Sequence, residues 1–370
     1  MASILDILGW RNISASVQEV SSGVPNRLPP AFLNLTEKVR GDSTTYITFY
    51  GQRQTAQQAP YGSPSKKAAQ KQIGEKSVRL LHFTEHLLIQ QELLLQLRQP
   101  NDLIAQEKAK DIIVRAGADF KQRFDNGRIG AITSALANAG KIWYDSSGNL
   151  LPSSSGANLT IDPGVHANNQ NQLNGIIDAS WATTSTNIIQ HITNIKIQAR
   201  KNTGREIKHA FYGKNVPAYL FNNTTLSKYW QFYPKMYEAL SASPDMVPSG
   251  FAGLEWHFMG DTFFEDQNGT TQSIWGDDAV TFTPEIDRNV YTLYQGTMVA
   301  PKLGFGPTGA DLIATWGGLD EIEGMGGYCI PQVDPVGMKM VYFDTCLPTL
   351  KTAAVNGSGP GDFFFCDTTP

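Results

Sequence analysis

NDLIAQEKAKDIIVRAGADFKQRFDNGRIGAITSALANAG, residues 101–140, is the stretch on which the fold turns. Ile104, Ile112, Ala116, Phe120 and Phe124 fall on one series of four, interrupted only by Lys108, and Leu103 and Ile113 widen the apolar stripe. That spacing marks one face of an α-helix. Asn101 and Asp102 follow Pro100, where a short polar side chain can accept an orphan amide hydrogen of the first turn. Gly140 supplies the stop. The spacing therefore predicts a helix over 101–139, roughly 58 Å long at about 1.5 Å per residue and longer than a small domain is wide. Gly117, Gly127 and Gly130 weaken its interior by about 1 kcal/mol each relative to Ala, and a bend is expected near Asn126-Gly127. The alternative left open is two shorter helices packed as a hairpin.

The segment before the helix reads differently. Gln52, Gln54, Gln57 and Gln58, then Lys66, Lys67, Gln70, Lys71 and Gln72, show no apolar face of helical or strand period, and Lys76 extends the basic run. Residues 77–88 then turn apolar and partly alternate. Such a polar segment buries too little apolar surface to offset the entropy of ordering it. It is either a disordered linker or an extended two-stranded loop ordered by lying on another subunit. Pro60, Tyr61, Gly62 and Pro64 fit the tip of such a loop.

At 370 residues the chain is long enough for about two globular units. Charged residues make up 17% of it, against roughly 25% in typical soluble domains, so much of its surface is expected to be covered by partners. The net charge of -4 hides an asymmetry: residues 51–130 carry 13 Lys and Arg against 8 Asp and Glu, whereas residues 241–370 carry 4 against 17. Opposite-sign regions suit heterologous self-association, with a solvated acidic surface as the bland alternative. No basic cluster is interleaved with aromatics, which argues against tight nucleic-acid binding. Cys329, Cys346 and Cys366 lack metal-ligand spacing and imply a reducing compartment. Neither a secretory leader nor a membrane-length apolar run is present, so a soluble protein made in a cytoplasm is expected.

Beyond the helix, short strands and long loops are predicted. Residues 141–150 read as a hairpin around Asp145-Ser146-Ser147-Gly148-Asn149. Residues 186–198 suit a helix carrying Ile188, Ile189, Ile192, Ile195 and Ile197, and residues 215–233 a strand followed by a helix. Residues 251–264 and 280–300 look like strands, with a turn at Asn268-Gly269. Residues 337–350 and 363–365 return to strand.

The sharpest enzymatic candidate is His82-Phe83-Thr84-Glu85-His86, which matches the H-x-x-E-H zinc-hydrolase pattern. That chemistry needs a helix. In a strand His82 and His86 would share a face but stand about 13 Å apart, too far for one ion. Gly304-Phe305-Gly306-Pro307-Thr308-Gly309 has dinucleotide-fingerprint spacing without a βαβ unit around it, and Pro307 removes a backbone donor. No Ser, His and acid set can be assembled, and the remaining histidines, 166, 191, 209 and 257, are scattered. Trp181 and the other tryptophans are expected as core or interface anchors. No catalytic residue, metal or cofactor is assigned.

In its order of elements the chain resembles the major capsid proteins of tailed phages, the lambda head-protein group. The resemblance rests on the extended loop, the long helix, the hairpin at 141–150, Ile161-Asp162-Pro163-Gly164 and Trp181. It extends through the strands around Asn268-Gly269 to Met338-Lys339-Met340-Val341-Tyr342-Phe343-Asp344-Thr345. The resemblance implies an α+β fold of the Hong Kong 97 type. Its parts would be an N-terminal arm at 1–49, an extended loop at 50–88, a peripheral domain at 89–185 with the spine helix, an axial domain at 186–327, and return strands at 328–370. It also implies a subunit that forms hexamers and pentamers of an icosahedral virion shell around double-stranded DNA, by way of a procapsid assembled in the host cytoplasm. Scaffold, portal and decoration proteins would be its partners. Gln58, Tyr61, Lys66, Lys67, Lys71 and Lys76 would then contact the adjacent subunit by noncovalent clamping, and Gly117, Gly127 and Gly130 would let the spine bend. Two rivals stay open: a zinc hydrolase, and a tail-tube or sheath subunit.

Overall fold

A computed structural model describes residues 27–41, 43–49, 73–90, 92, 103–162, 169, 177–230, 247–248, 250–265, 269–304, 315–332, 337–351 and 361–369. The chain enters through a short helix α1 (Ala31–Asn34) and strand β1 (Thr36–Val39), followed by β2 (Ser43–Phe49), β3 (Ile73–Arg79) and β4 (Leu81–Gln90). The long helix α2 (Leu103–Ala137) comes next as one unbroken element of 35 residues, about 52 Å at the standard rise. The hairpin alternative is thereby excluded. The expected capping pair Asn101 and Asp102 lies outside the described residues.

Two regimes of burial divide α2. Around Phe120 and Phe124 it is amphipathic, with Arg115, Asp119 and Arg123 exposed, but Ile129–Leu136 is buried on every side. Its last turns cross the core, and Gly130, Ala131, Ser134 and Ala135 keep them thin enough to do so. The helix ends where Ala139 and Gly140 adopt positive φ, 55° and 81°, and the Gly140 amide donates back to the Ala135 carbonyl at 2.7 Å. That is the left-handed stop for which glycine is suited.

A small three-stranded sheet follows, with β5 (Ile142–Tyr144) between β6 (Leu150–Leu151) and β7 (Leu159–Ile161). The predicted hairpin is present, and the Asp145 carboxylate accepts from the Ser147 and Asn149 amides at 2.7 and 2.8 Å. Helix α3 (Ile188–Asn202) is capped by the Asn187 side chain and buries Ile188, Ile192, Ile195 and Ala199, each worth about 1.5–3 kcal/mol for the larger side chains. Ile197, expected among them, is 55% exposed. Strand β8 (Ile207–Tyr212) leads to α4 (Val216–Asn222) and α5 (Thr224–Trp230). The strand expected to open 215–233 is therefore corrected to helix: Pro217 sits in the first turn of α4, where its missing amide hydrogen costs nothing.

The remaining strands are β9 (Glu255–Phe258), β10 (Phe263–Glu265), β11 (Thr271–Ser273), β12 (Ala279–Pro284), β13 (Tyr291–Gly304), β14 (Thr315–Glu323), β15 (Gly326–Gln332), β16 (Gly337–Leu350) and β17 (Phe364–Asp367). Two larger sheets result. One has the order β17-β12-β8-β9; the other runs β1-β13-β16-β15, with β14 added to β13 and β4 to β16. Strand β16 is the hub of the second, pairing with β4 along one edge, and with β15 and then β13 along the other.

These pairings redraw the expected boundaries. Strand β4 belongs to the main sheet, from Leu81↔Cys346 to Gln90↔Gly337, instead of to an extended loop reaching residue 88. Leu81 and Ile89, near its two ends, are buried, Leu81 in a cluster that includes Ala131 and Ala135 of α2. The extended pair begins earlier, at Ser43. Strand β13 joins β16 although it lies before residue 328, and β17 joins β12 although it lies after.

Gly127 and Gly130 occupy different surroundings. A Cβ on Gly127 would lie 3.5 Å from the Phe83 ring, an ordinary contact, whereas one on Gly130 would lie 2.8 Å from Leu150 Cδ2 and 3.3 Å from Phe264 Cε1. Gly127→Ala is therefore expected to raise subunit stability by about 1 kcal/mol through helix propensity. Gly130→Ala is expected to lower it by about 1 kcal/mol, because overpacking outweighs the same gain. Urea-denaturation midpoints of the two variants check the contrast.

Candidate functional site

Strands β2 and β3 pair with each other, Ser43↔Arg79 through Phe49↔Ile73, and form a two-stranded sheet without a third member among the described residues. A ribbon of this kind is marginal in water and carries two open edges. Of the residues expected to meet a neighbour, Lys76 lies in this ribbon opposite Tyr46. Gln58, Tyr61, Lys66, Lys67 and Lys71 lie outside the described residues.

The root of the ribbon is firmly held. Leu80 and Leu81 are buried in a cluster with Ala131 and Ala135 of α2, Ile142 and Tyr144 of β5, Tyr294 and Leu347. Next to it, α2 lies on β16. Phe120 stacks on Tyr342 with ring centroids 4.5 Å apart. Two turns further along the helix, Arg128 Nε and Nη2 donate to the two oxygens of Asp344 at 2.6 and 2.5 Å. Asp344 has no exposed side-chain surface, and Arg128 only 13%. Burial works against the guanidinium charge, but the adjacent carboxylate overrides it and holds Arg128 firmly protonated. The Thr281 hydroxyl also donates to the Leu136 carbonyl at 2.7 Å, joining the last turn of α2 to β12.

Sequence reasoning missed Arg128, although a signal was present. The series of four through Phe120 and Phe124 arrives next at residue 128, so an arginine stands on the apolar stripe. Its partner, Asp344, interrupts an apolar strand run at Val341-Tyr342-Phe343. A buried charge in such positions requires an opposite one.

Gly117, Gly127 and Gly130 all lie within continuous helix. Gly130 serves close approach to Leu150 and Phe264, which its sequence position alone did not suggest.

The side chains with reactive chemistry are tied into structure. His82-Phe83-Thr84-Glu85-His86 lies in β4, with His82 opposite Thr345 and His86 opposite Val341. The zinc-hydrolase reading therefore lacks the helix it requires. His82 Nδ1 is 3.0 Å from Thr345 Oγ1, and burial lowers the pKa of its ring. The Trp181 indole donates to His191 Nδ1 at 3.1 Å, which leaves Nε2 as the ring nitrogen that donates to Asp178 at 3.0 Å. Trp181 is fully buried, a core anchor as expected. A hollow of about 370 Å³ is lined by Ala137, Asp277, Asp278, Thr281, Cys366 and Asp367. Burial pushes its one thiol, Cys366, up to about 12, so it is no nucleophile near neutrality.

One cluster escaped the sequence. His209 on β8 and Glu255 and His257 on β9 bring one ligand atom each within 4.8 Å of one another. They lie almost fifty residues apart and meet through parallel pairing, which no local motif announces.

What the geometry offers is surface: a ribbon without a third strand among the described residues, on a well-anchored base beside a long continuous helix. The model of the family described as phage major capsid protein E matches residues 9–297, and the chain belongs to this family. No match is found among curated proteins. Among solved structures, the chain is similar to a phage-related protein from Bordetella bronchiseptica RB50, at 8% identity and TM-score 0.47, covering 98% of this chain and 97% of that one. It is also similar to the capsid of Ralstonia phage GP4, at 12% identity and TM-score 0.43, covering 95% and 94%. A third similarity is to the mature capsid of bacteriophage PhiM1, at 10% identity and TM-score 0.42, covering 94% and 89%.

Removing one member of the Arg128–Asp344 pair strands the other charge in the core. Arg128→Ala is expected to cost about 3–5 kcal/mol, and Arg128→Lys to recover only part of that because the bidentate fork is lost. Thermal unfolding of the isolated subunits measures both.

Proposed function

We propose that copies of this chain assemble, as hexamers and pentamers, into an icosahedral shell around packaged double-stranded DNA, and that the β2–β3 ribbon with residues 50–72 clamps the neighbouring subunit. The observation that carries this reading is the ribbon itself: two strands that pair with each other and with no third strand among the described residues, on a base held by buried Leu80 and Leu81. A two-stranded ribbon is marginal in water and gains stability from a surface that covers it, which in this reading is the neighbouring copy. Family membership supplies the class of assembly.

The division of labour follows the sheets. The unit built on β8, β9, β12 and β17, with α3 against it, is the proposed axial part; α2 and the six-stranded sheet form the peripheral part. The basic charge of residues 51–130 and the acidic charge of 241–370 suit contact between unlike faces of adjacent copies. Contact with DNA is nonspecific in this reading, and scaffold, portal and decoration proteins are its other partners. Catalysis has no part in it. Shell formation occurs in the host cytoplasm, and the mature protein resides in the virion.

Replacing residues 50–72 by Asn-Gly keeps β2 and β3 paired through a tight turn. The expected product is a folded, soluble subunit that fails to close stable shells, seen by electron microscopy of the overexpressed protein. Intact stable shells from this variant would remove the clamp, and rods or stacked rings from the wild type would favour a tail-tube or sheath subunit.

A further inference from the structure

The parallel pairing of β8 and β9 sets His209 opposite Glu255 and Phe211 opposite His257. Because alternate residues of a strand share a face, all four side chains stand on one side of the sheet. His209 Nδ1 is 3.2 Å from His257 Nε2 and 3.3 Å from the nearer Glu255 oxygen. In a tetrahedral site with metal–ligand bonds of about 2.0–2.1 Å, neighbouring ligand atoms lie about 3.3 Å apart. Two edges of such a shell are thus already present. Glu255 has 68% of its side chain exposed and can turn to complete the third. The Phe211 ring stacks on His257 at 4.9 Å and fixes the plane of the imidazole.

We propose that His209, Glu255 and His257 form a binding site for a zinc-class divalent ion, with the fourth position open to solvent. Two imidazoles and one carboxylate favour zinc, cobalt, nickel or copper over the oxygen-preferring calcium and magnesium. Burial lowers the pKa of both rings, His257 to about 4, so both are uncharged at neutral pH. In the metal-free site one ring nitrogen donates its hydrogen to the other. Metal binding moves that hydrogen to the far nitrogen of the same ring, with no net proton lost. Glu285 adds a favourable negative charge nearby and Lys208 an opposing positive one. The inference is independent of the clamp.

The test is cobalt(II) titration of the full-length chain after chelator treatment. One equivalent should give the intense visible absorption of four-coordinate cobalt, which zinc then bleaches. His257→Ala should abolish the signal. Glu255→Gln, on an exposed side chain and therefore safe for the fold, should weaken binding about tenfold or more, the scale on which altered metal surroundings act, whereas His82→Ala should leave it unchanged. Absence of stoichiometric uptake by the wild type would overturn the proposal, as would equal binding by Glu255→Gln.

Discussion

One buried ion pair decides how the helix and the sheet meet. Arg128 comes from the apolar face of α2 and Asp344 from the middle of β16, and the guanidinium spans both carboxylate oxygens. A displacement of α2 by one residue along its axis, about 1.5 Å, breaks both hydrogen bonds and leaves two charges in a dry environment. Apolar contacts alone tolerate such a slip. Burial keeps the Cys346 thiol and the Tyr144 and Tyr291 hydroxyls protonated, so none of them adds a charge beside the pair, while Asp125 adds a further attraction to Arg128 after that of Asp344. The pair contributes register more than net stability.

From that fixed point rigidity spreads unevenly. Strand β4 shares the ladder of β16 and carries Phe83 against Gly127, so the base of the ribbon is set by the same geometry that places the helix. Val78 still packs on the buried cluster at the root and Thr44 is buried, and farther out β2 and β3 pair with each other without a third strand among the described residues. A subunit that is firm at the root and marginal at the reach can adjust to a neighbour without disturbing its own core. Exposed Arg123, which bonds Glu85 at 2.9 Å, ties the outer helix to β4 at a point that solvent can enter.

Much of this was legible in the residues. The period of four found α2, and the Asp145 turn found the β5–β6 hairpin. What the residues concealed depended on long-range pairing. Whether β4 belongs to arm or sheet is decided by β16, some 250 residues away, and the alternation within 77–88 is compatible with both. The line between the two large sheets was also hidden, because β13 and β17 each cross to the sheet opposite their place in the sequence. His209 and His257 looked scattered for the same reason: a parallel strand pair juxtaposes residues across a long connection. Arg128, by contrast, was readable, since a lone charge on an apolar stripe calls for a partner.

Phe32 sits at the other end of the chain's logic. It is completely buried, edge-on to both Phe211 and Tyr291, and Leu28 is buried beside it, while β1 runs parallel to β13. The segment from Arg27 to Val39 is therefore a keystone and not a tail. Loss of the chain through Phe32 would open the aromatic heart of the subunit to water, leaving the Phe211 and Tyr291 rings without the side chain that covers them.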